Sequence, residues 1–378
     1  MDFDFSDEQR IFKQGARDFL EKECPKFLVR QMMQDERGTP QELWRKMAQL
    51  GWLGLIYPEQ FGGSGGNIID LVALEEEMGR ACLPGAFFST VLLGGLFVLN
   101  NGSDDQKRDL LSKVAKGDIM LTLAMTEQNG SYEAASVETE AVNNKGDYII
   151  SGTKLYIPDA HIADYIICIA RTKKSAKPEE GITAFLVSGK SAGINCTLLK
   201  TIVGDKLCEI VFDKVRVSKK DIIGELDHAW GPLQQTLQQV TIARCAEMVG
   251  GAQKVLEMST DHAKQRIVFD RPLGSFPVIQ HYIANMVMDI DASRFLTYEA
   301  AWRFSEGLPC AKEIAMAKSW TSEAYQRTTA TGHQIYGGVG FTVESDMHLY
   351  FRRAKAAEVT LGDSVFHREA LAKELGNY

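Results

Sequence analysis

Three stretches of the chain hold residue types that could do chemistry. Thr126-Glu127-Gln128-Asn129-Gly130-Ser131 places two hydroxyls and a glycine within one short loop. A loop of this kind between strands offers hydroxyls and free backbone amides to a flavin ring or a phosphate. The same residues also make an ordinary polar turn. Lys264-Gln265-Arg266-Ile267-Val268-Phe269 closes a helix, and the planar guanidinium of Arg266 suits phosphate oxygens. A solvated helix end is the alternative. His333-Gln334-Ile335-Tyr336-Gly337-Gly338-Val339-Gly340-Phe341 interrupts a helix with several glycines, whose bare backbone lets a ligand lie close. A tight interhelical turn would use the same residues.

Other chemistry is excluded by pattern. No Walker A loop, GxSxG elbow or HExxH pair occurs, and Gly337–Gly340 neither follows a strand nor completes GxGxxG. The seven histidines show no metal-ligand spacing; His161 and His348 read as surface or capping residues. The seven cysteines are scattered with no CxxC pair, which points away from zinc and from a disulfide framework and toward reduced thiols in a cytoplasmic setting. No metal site is expected. A net charge of −8 is not the footprint of a nucleic-acid binder, although it leaves room for a local basic patch facing a phosphate-bearing ligand. Met1–Phe5 is acidic and carries no signal-peptide pattern. The longest uncharged stretch, Ala81–Ser103, is densest over Val91–Leu99, too short to cross a bilayer; it reads as a buried helix.

These stretches need a scaffold. At 378 residues, 45% hydrophobic and 24% charged, the chain is an ordinary globular composition with room for two or three domains. Residues 1–119 read as helical. Ser6-Asp7-Glu8-Gln9 is a capping-box pattern, followed by Ile11, Phe12, Ala16, Phe19 and Leu20 at helical spacing. Pro58–Gly66 is a break that only a loop tolerates. A helix resumes over Asp70–Arg80, with Leu71, Leu74 and Met78 on one side and Glu75-Glu76-Glu77 expected mostly outside. Residues 120–225 change character: Tyr148–Ile150, Tyr165–Ala170, Ile182–Val187 and Glu209–Val217 read as short strands between turn formers such as Asn143–Asp147. Strands with no helices between them predict an antiparallel barrel or sandwich. Residues 226–378 are helical again, with Ala243, Ala246, Val249, Ala252, Val255 and Leu256 forming one apolar stripe. The fold class is therefore α+β, in the order helical, β, helical.

Taken together, the chain resembles the acyl-CoA dehydrogenases over nearly its whole length. The matching pieces are Pro58–Gly66 with Leu74-Glu75-Glu76, Met125-Thr126-Glu127, Gly152–Ile157, Phe212–Val217, Gly250–Gln253, Arg266–Phe269 and Gln334–Gly340. Each is weak alone; their order and spacing are specific. The resemblance implies an N-terminal helical domain, a middle β domain and a C-terminal four-helix bundle. It implies FAD at a subunit interface, an acyl-CoA substrate, and α,β-desaturation with the β-hydrogen leaving as hydride to flavin N5. Electron-transfer flavoprotein is the implied electron acceptor, and a homo-oligomer (dimer or tetramer) the implied assembly, with no nucleic-acid or membrane partner.

Carried over residue by residue, the flavin-facing strand maps onto Leu123, Met125 and Thr126, and the following loop onto Gly130 and Ser131, with Ser131 also toward substrate. Tyr156 takes the place of a tryptophan beside the flavin, and Pro158 that of a threonine that normally contacts N5. Arg266 and Phe269 match the pair that reaches the FAD of a neighbouring subunit; Gln334, Gly337 and Gly338 match the loop near its pyrophosphate. Arg244 either faces CoA phosphate or pairs with Glu247.

The largest departure concerns the base. The family commonly has Tyr-Glu-Gly-Thr near its end; here the run is Thr360-Leu361-Gly362-Asp363, so Leu361 occupies the carboxylate position. A second family location for the base falls near Val240 and Thr241, and a third, used by members acting on cyclic acyl-CoA, within Ala81–Ser103; neither holds an acid. A leucine cannot accept a proton, and general-base catalysis is worth about 10²–10⁴-fold. Asp363 is the candidate substitute, with a helix N-cap as its bland reading; Asp159 and Glu247 are weaker options. Two other functions stay open: a non-catalytic or half-active subunit of a hetero-oligomer with a homologous second chain, and a different flavin-dependent reaction on a CoA thioester.

Overall fold

The capping box at Ser6 forms as its residues require: the Ser6 hydroxyl accepts from the Gln9 amide and the Gln9 side chain accepts from the Ser6 amide, starting helix α1 (Asp7–Glu23). The structure, a computed structural model, describes residues 5–376; Met1–Asp4 of the N-terminal run read above lie outside the described residues. By internal contacts the chain forms two compact units, one of Met1–Val29, Asn67–Leu83 and Thr241–Tyr378, the other of Arg30–Gly66 and Pro84–Val240.

The first unit is helical. Besides α1 it holds α4 (Ile68–Ala81), which follows α2 (Lys26–Gln34) and α3 (Gln41–Gln49) in the chain. Glu75, Glu76 and Glu77 on α4 are all buried, against the expectation that they face outward. For Glu76 and Glu77 the reason is compensation by residues distant in sequence. Glu76 accepts from Lys13 at 2.7 Å and from the Arg294 guanidinium at 3.3 Å, and is bonded by the Tyr298 hydroxyl; Glu77 holds a two-pronged pair with Arg17 at 2.8 and 2.9 Å. Buried carboxylates survive when paired and hydrogen-bonded in this way.

The helix α7 (Trp230–Gln265) passes α4 at backbone contact. A Cβ on Gly79 would lie 1.9 Å from the Glu247 carbonyl, and one on Gly250 1.7 Å from the Glu76 carbonyl. Downstream come the hairpin β9 (Ile267–Val268) and β10 (Arg271–Pro272), then α8 (Pro277–Ser305), α9 (Ala311–Tyr336), α10 (Met347–Val359) and α11 (Ser364–Glu374). The stretch from Trp230 onward thus has five helices among the described residues, where a four-helix bundle was expected.

The second unit joins α3 and the remaining N-terminal helices, α5 (Leu96–Asn101) and α6 (Asp104–Lys116), to a sheet. The uncharged run forms a π-helix over Phe88–Gly95 leading into α5; the Tyr57 hydroxyl donates to the Val91 carbonyl inside it at 3.2 Å. The Thr90 hydroxyl splices this helix to β1 (Leu121–Ala124) by accepting from the Leu121 amide and donating to its carbonyl.

The sheet has eight strands: β1, β2 (Glu140–Asn144), β3 (Asp147–Pro158), β4 (Tyr165–Arg171), β5 (Ile182–Ser188), β6 (Ile194–Leu198), β7 (Leu207–Val217) and β8 (Ile222–Ile223). Its order is β6-β7-β3-β2-β4-β5-β8, with β1 on β4. It is a mixed sheet, not the all-antiparallel barrel expected, because β1 and β2 both pair parallel to β4. The hairpin of β2 and β3 supplies the long connection that a parallel pair needs. That hairpin turns at Lys145 and Gly146, both with positive φ, as a two-residue loop between right-twisted strands demands. Tyr148, Ile150, Ile166, Cys168, Phe185, Ile210, Phe212 and Val215 fill the β core.

Candidate active site

In the β unit, the expected residues converge on the edge where β1 runs past the end of β3. The pairing of β3 with β7 slips between Lys154 and Ile157, so Leu155 and Tyr156 leave the ladder. Tyr156 is thrown outward at φ +60°, a left-handed conformation costly for a non-glycine residue, and is 55% exposed. Thr126 is stitched to this bulge: its carbonyl accepts from the Leu155 amide at 2.9 Å and its hydroxyl donates to the Leu155 carbonyl. The Thr122 hydroxyl donates to the Pro158 carbonyl at 2.6 Å. Thr126, Tyr156 and Pro158 are thereby brought together, and the neighbouring Leu123 and Met125 are buried. In the loop, Gly130 (φ +65°) faces open space, the Ser131 amide donates to Asn129 Oδ1, and the Ser131 hydroxyl accepts from the Glu133 amide.

Two partnerships that hold this edge were not anticipated. Lys154, fully buried, donates to Glu127 Oε1 at 2.6 Å and to the Met125 carbonyl at 3.0 Å; Glu127 also accepts from the amides of Glu138 and Thr139. Those bonds and the lysine charge hold the Glu127 carboxyl below its ordinary value against the opposing effect of burial. The available signal was Lys154 falling in phase with the inward Tyr148 and Ile150. The second is Asp159, also at positive φ, whose Oδ2 accepts from Ser89 of the π-helix at 2.6 Å. Among the described residues no cation makes an ion pair with it, and burial pushes its carboxyl up to about 6.

In the helical unit, the expected residues form two groups on α9. At its C-terminal end, the Tyr336 ring stacks on His262 of α7 at 4.2 Å and its hydroxyl donates to the Met258 carbonyl, so the end of α7 and the end of α9 lie side by side. Arg266, Phe269, Gln334, Gly337 and Gly338 are all exposed here. Phe269 is 86% exposed at φ +49°, Arg266 makes no ion pair among the described residues, and a Cβ on Gly337 or Gly338 would meet nothing within 4 Å. Bare glycine backbone, an uncommitted guanidinium and flat apolar rings suit a ligand with phosphates and an aromatic ring system, so the donor set fits FAD. A large aromatic left this exposed also marks a surface that meets another molecule.

The second group sits sixteen residues earlier on α9, roughly 24 Å at the α-helical rise. There Lys318, fully buried, donates to the carbonyls of Ala357, Glu358 and Gly362 at 3.1, 2.7 and 2.9 Å, and His367 Nε2 bonds the Leu361 carbonyl at 2.9 Å. Burial pulls Lys318 down to about 8 and His367 down to about 4. These contacts fix the turn Thr360–Asp363, with Leu361 buried at φ +64°. Asp363 is exposed and its Oδ1 caps α11 by accepting from the Phe366 amide at 2.9 Å. Arg244 is bonded to Glu247, which also pairs with Arg353 at 3.6 Å. Burial and the nearby Glu247 raise the carboxyl of Glu75, whose Oε1 has no hydrogen-bond partner among the described residues.

Comparison with known proteins bears on this geometry. Three acyl-CoA dehydrogenase sequence profiles match in order: the N-terminal domain over residues 6–118, the middle domain over 122–215 and the C-terminal domain over 230–376. The chain is 32% identical over 381 residues to a probable acyl-CoA dehydrogenase, YngJ, of Bacillus subtilis, spanning 99% of this chain and all of that one. It is 29% identical over 367 residues to the caffeyl-CoA reductase-Etf complex subunit CarC of Acetobacterium woodii, spanning 95% and 96% of the two. Among solved structures, butyryl-CoA dehydrogenase from Megasphaera elsdenii superposes with a TM-score of 0.91 at 29% identity, covering 99% of this chain and 100% of that one.

Proposed function

The chain belongs to the acyl-CoA dehydrogenase family and is a flavin-dependent oxidoreductase, and from that premise we propose that it desaturates an acyl-CoA thioester between its α and β carbons. The observation that carries the reading is the end-to-end family match together with the bare, exposed backbone at Gly130, Gly337 and Gly338. Bound FAD supplies the acceptor for the β-hydrogen, which leaves as hydride. On this reading Met125, Thr126, Gly130, Ser131, Tyr156 and Pro158 hold the ring system, with Leu123 buried behind them. Arg266 and Phe269 reach the FAD of a neighbouring copy, and Gln334, Gly337 and Gly338 lie near its pyrophosphate, which requires a homo-oligomer, a dimer or tetramer. Electron-transfer flavoprotein is the proposed acceptor, and the complex named for the Acetobacterium relative supports it. The proposed domains are 1–119, 120–225 and 226–378. A cytoplasmic location is part of the same proposal, supported by seven free thiols; no helix among the described residues is long and apolar enough to cross a membrane.

The α-proton needs an acceptor, and Leu361 cannot be one. Asp363 and Asp159 are the two carboxyl groups proposed. The cap occupies Oδ1 of Asp363 and leaves Oδ2 for other work. The environment of Asp159 favours it: a carboxyl near 6 takes up and releases protons close to neutral pH, and it follows Pro158 directly.

Anaerobic titration of the purified flavoprotein with straight, branched and cyclic acyl-CoA thioesters tests the proposal. At least one thioester bleaches the flavin absorbance; bleaching by none of them refutes it. A second reading, reduction of an α,β-unsaturated thioester, is favoured by the caffeyl-CoA reductase relative. Under it, dithionite-reduced enzyme is reoxidised by enoyl-CoA much faster than the oxidised enzyme is reduced by acyl-CoA. A third, a subunit that works only beside a homologous chain, predicts weak flavin retention alone and recovery on mixing.

A further inference from the structure

The edge strand β6 carries a thiol that the flavin chemistry does not use. Cys196 on β6 lies opposite Ile210 of β7, and Leu198 lies opposite Cys208, so the two cysteines occupy the same face of the pair, offset by two residues. Cys196 is exposed and Cys208 buried. Behind Cys208 stands His161, whose Nδ1 is 3.7 Å from the Cys208 sulfur. The other ring nitrogen, Nε2, lies 2.9 Å from the Glu36 carbonyl, an acceptor only. That contact puts the imidazole proton on Nε2 and leaves Nδ1 as the acceptor facing the Cys208 thiol.

From this arrangement we propose that Cys196 and Cys208 are a peroxide-oxidised thiol pair, with His161 as the base for closing the disulfide. The Cys196 thiolate attacks a hydroperoxide, its sulfur is oxidised to sulfenic acid, and the O–O bond breaks to release an alcohol or water. The Cys208 sulfur then attacks the sulfenic sulfur. Its proton passes to His161 Nδ1, the S–O bond breaks, and hydroxide leaves as water on taking up a proton. The two thiols lose two electrons and the hydroperoxide gains them.

The surroundings assign the roles. The Cys208 thiol lowers the Cys196 pKa from its ordinary value, whereas the Cys196 contact and burial push Cys208 up against the opposing effect of His161, so Cys208 attacks only as its proton passes to that ring; burial likewise pushes Cys24, Cys168, Cys245 and Cys310 up. At about 7–8 Å between Cα atoms, a diagonal cross-strand pair lies just beyond the usual disulfide range and needs backbone movement to close. Among the described residues β6 has one strand neighbour and is largely exposed, so it can yield that shift. A bond closed under such strain is readily reduced again. It would also act on the bulge: Cys208 pairs with Ile157 and Leu207 with Pro158, and the Lys206 carbonyl accepts from the Asp159 amide at 2.7 Å.

The test treats the intact flavoprotein with hydrogen peroxide and maps it by mass spectrometry without reductant. The expected result is loss of two hydrogens, one peptide pair joined through Cys196 and Cys208, and full reversal by dithiothreitol. In Cys208→Ser, and in Cys208→Ala should serine disturb the core, Cys196 stops at a sulfenic acid that dimedone traps. In His161→Gln the sulfenic acid still forms, but disulfide closure slows by about tenfold or more. Over-oxidation of wild-type Cys196 with no cross-link, a cross-link between chains through Cys196, or a folded protein whose Cys196 resists peroxide as the buried thiols do would each overturn the proposal.

Discussion

Replacing Asp159 by asparagine isolates one buried charge. Below its ordinary value of 3.8, Asp159 is protonated in folded and unfolded chains alike. Between 3.8 and about 6 the unfolded chain releases that proton and the folded chain keeps it. The folded state binds more protons over this window, so stability is complete below 3.8, falls as pH rises toward 6, and is level above. At about 1.4 kcal/mol per pH unit, the interval amounts to about 3 kcal/mol. Asparagine mimics the protonated acid and can still accept from Ser89. Asp159→Asn therefore matches the wild type near pH 3.5 and exceeds it by about 3 kcal/mol at pH 7. His367, held down to about 4, works the opposite way: its contribution is present above 6.5 and is lost as pH falls toward 4. The readout is consequently the difference between the two proteins, in which His367 cancels. Urea unfolding of both across pH 3.5–7.5 supplies it. A difference that stays flat with pH, or a variant less stable than wild type at pH 7, would refute the account of Asp159. If Asp159 is also the proton acceptor, the stabilised variant loses at least a hundredfold in flavin reduction by acyl-CoA.

Leu361→Glu restores a carboxylate at the turn where relatives carry their base, and should raise the rate of flavin reduction by acyl-CoA by about 10²-fold or more in stopped-flow measurements; no gain would show that this turn does not face the thioester. Lys154→Met leaves Glu127 buried and unpaired, and should cost about 3–5 kcal/mol in denaturant unfolding, whereas Lys154→Met with Glu127→Leu recovers most of that loss; equal losses in the two would argue against a charge effect. Gly250→Ala should cost about 3 kcal/mol or prevent folding, because its methyl falls on the Glu76 carbonyl, while Gly15→Ala in α1, with nothing within 4 Å, should gain about 0.5–1 kcal/mol. Comparable melting shifts for the two alanines would contradict the close crossing of α4 and α7.

Local rules were readable from the residues. The capping box at Ser6, the two-residue turn at Lys145-Gly146 and the cap at Asp363 each depend on neighbours within a few positions, and each formed. Strands flanked by clear turns were also legible, though β2 and β6, largely exposed, lack the apolar runs that announce a strand. What stayed hidden depends on distant partners. Glu76 and Glu77 look solvated until Lys13, Arg17, Arg294 and Tyr298 arrive from far along the chain. The parallel pairing of β1 with β4 is a property of the path between them, and the outward throw of Tyr156 follows from a slip in register with β7. The residues proposed to hold flavin come from the family resemblance; the pairs that brace them, Lys154 with Glu127 and Ser89 with Asp159, were not legible, because a buried lysine or aspartate resembles a surface one in a bare string.

The corner that carries Leu361 is gripped through peptide oxygens by an ammonium and an imidazole from other helices. Nothing in that grip reads the side chain displayed at position 361. The turn can therefore keep its shape when the residue changes, although Leu361 is buried and an acid in its place needs a partner of its own. On the proposed reading, the missing proton acceptor at this turn leaves its backbone frame in place, so the work can move to another carboxyl group.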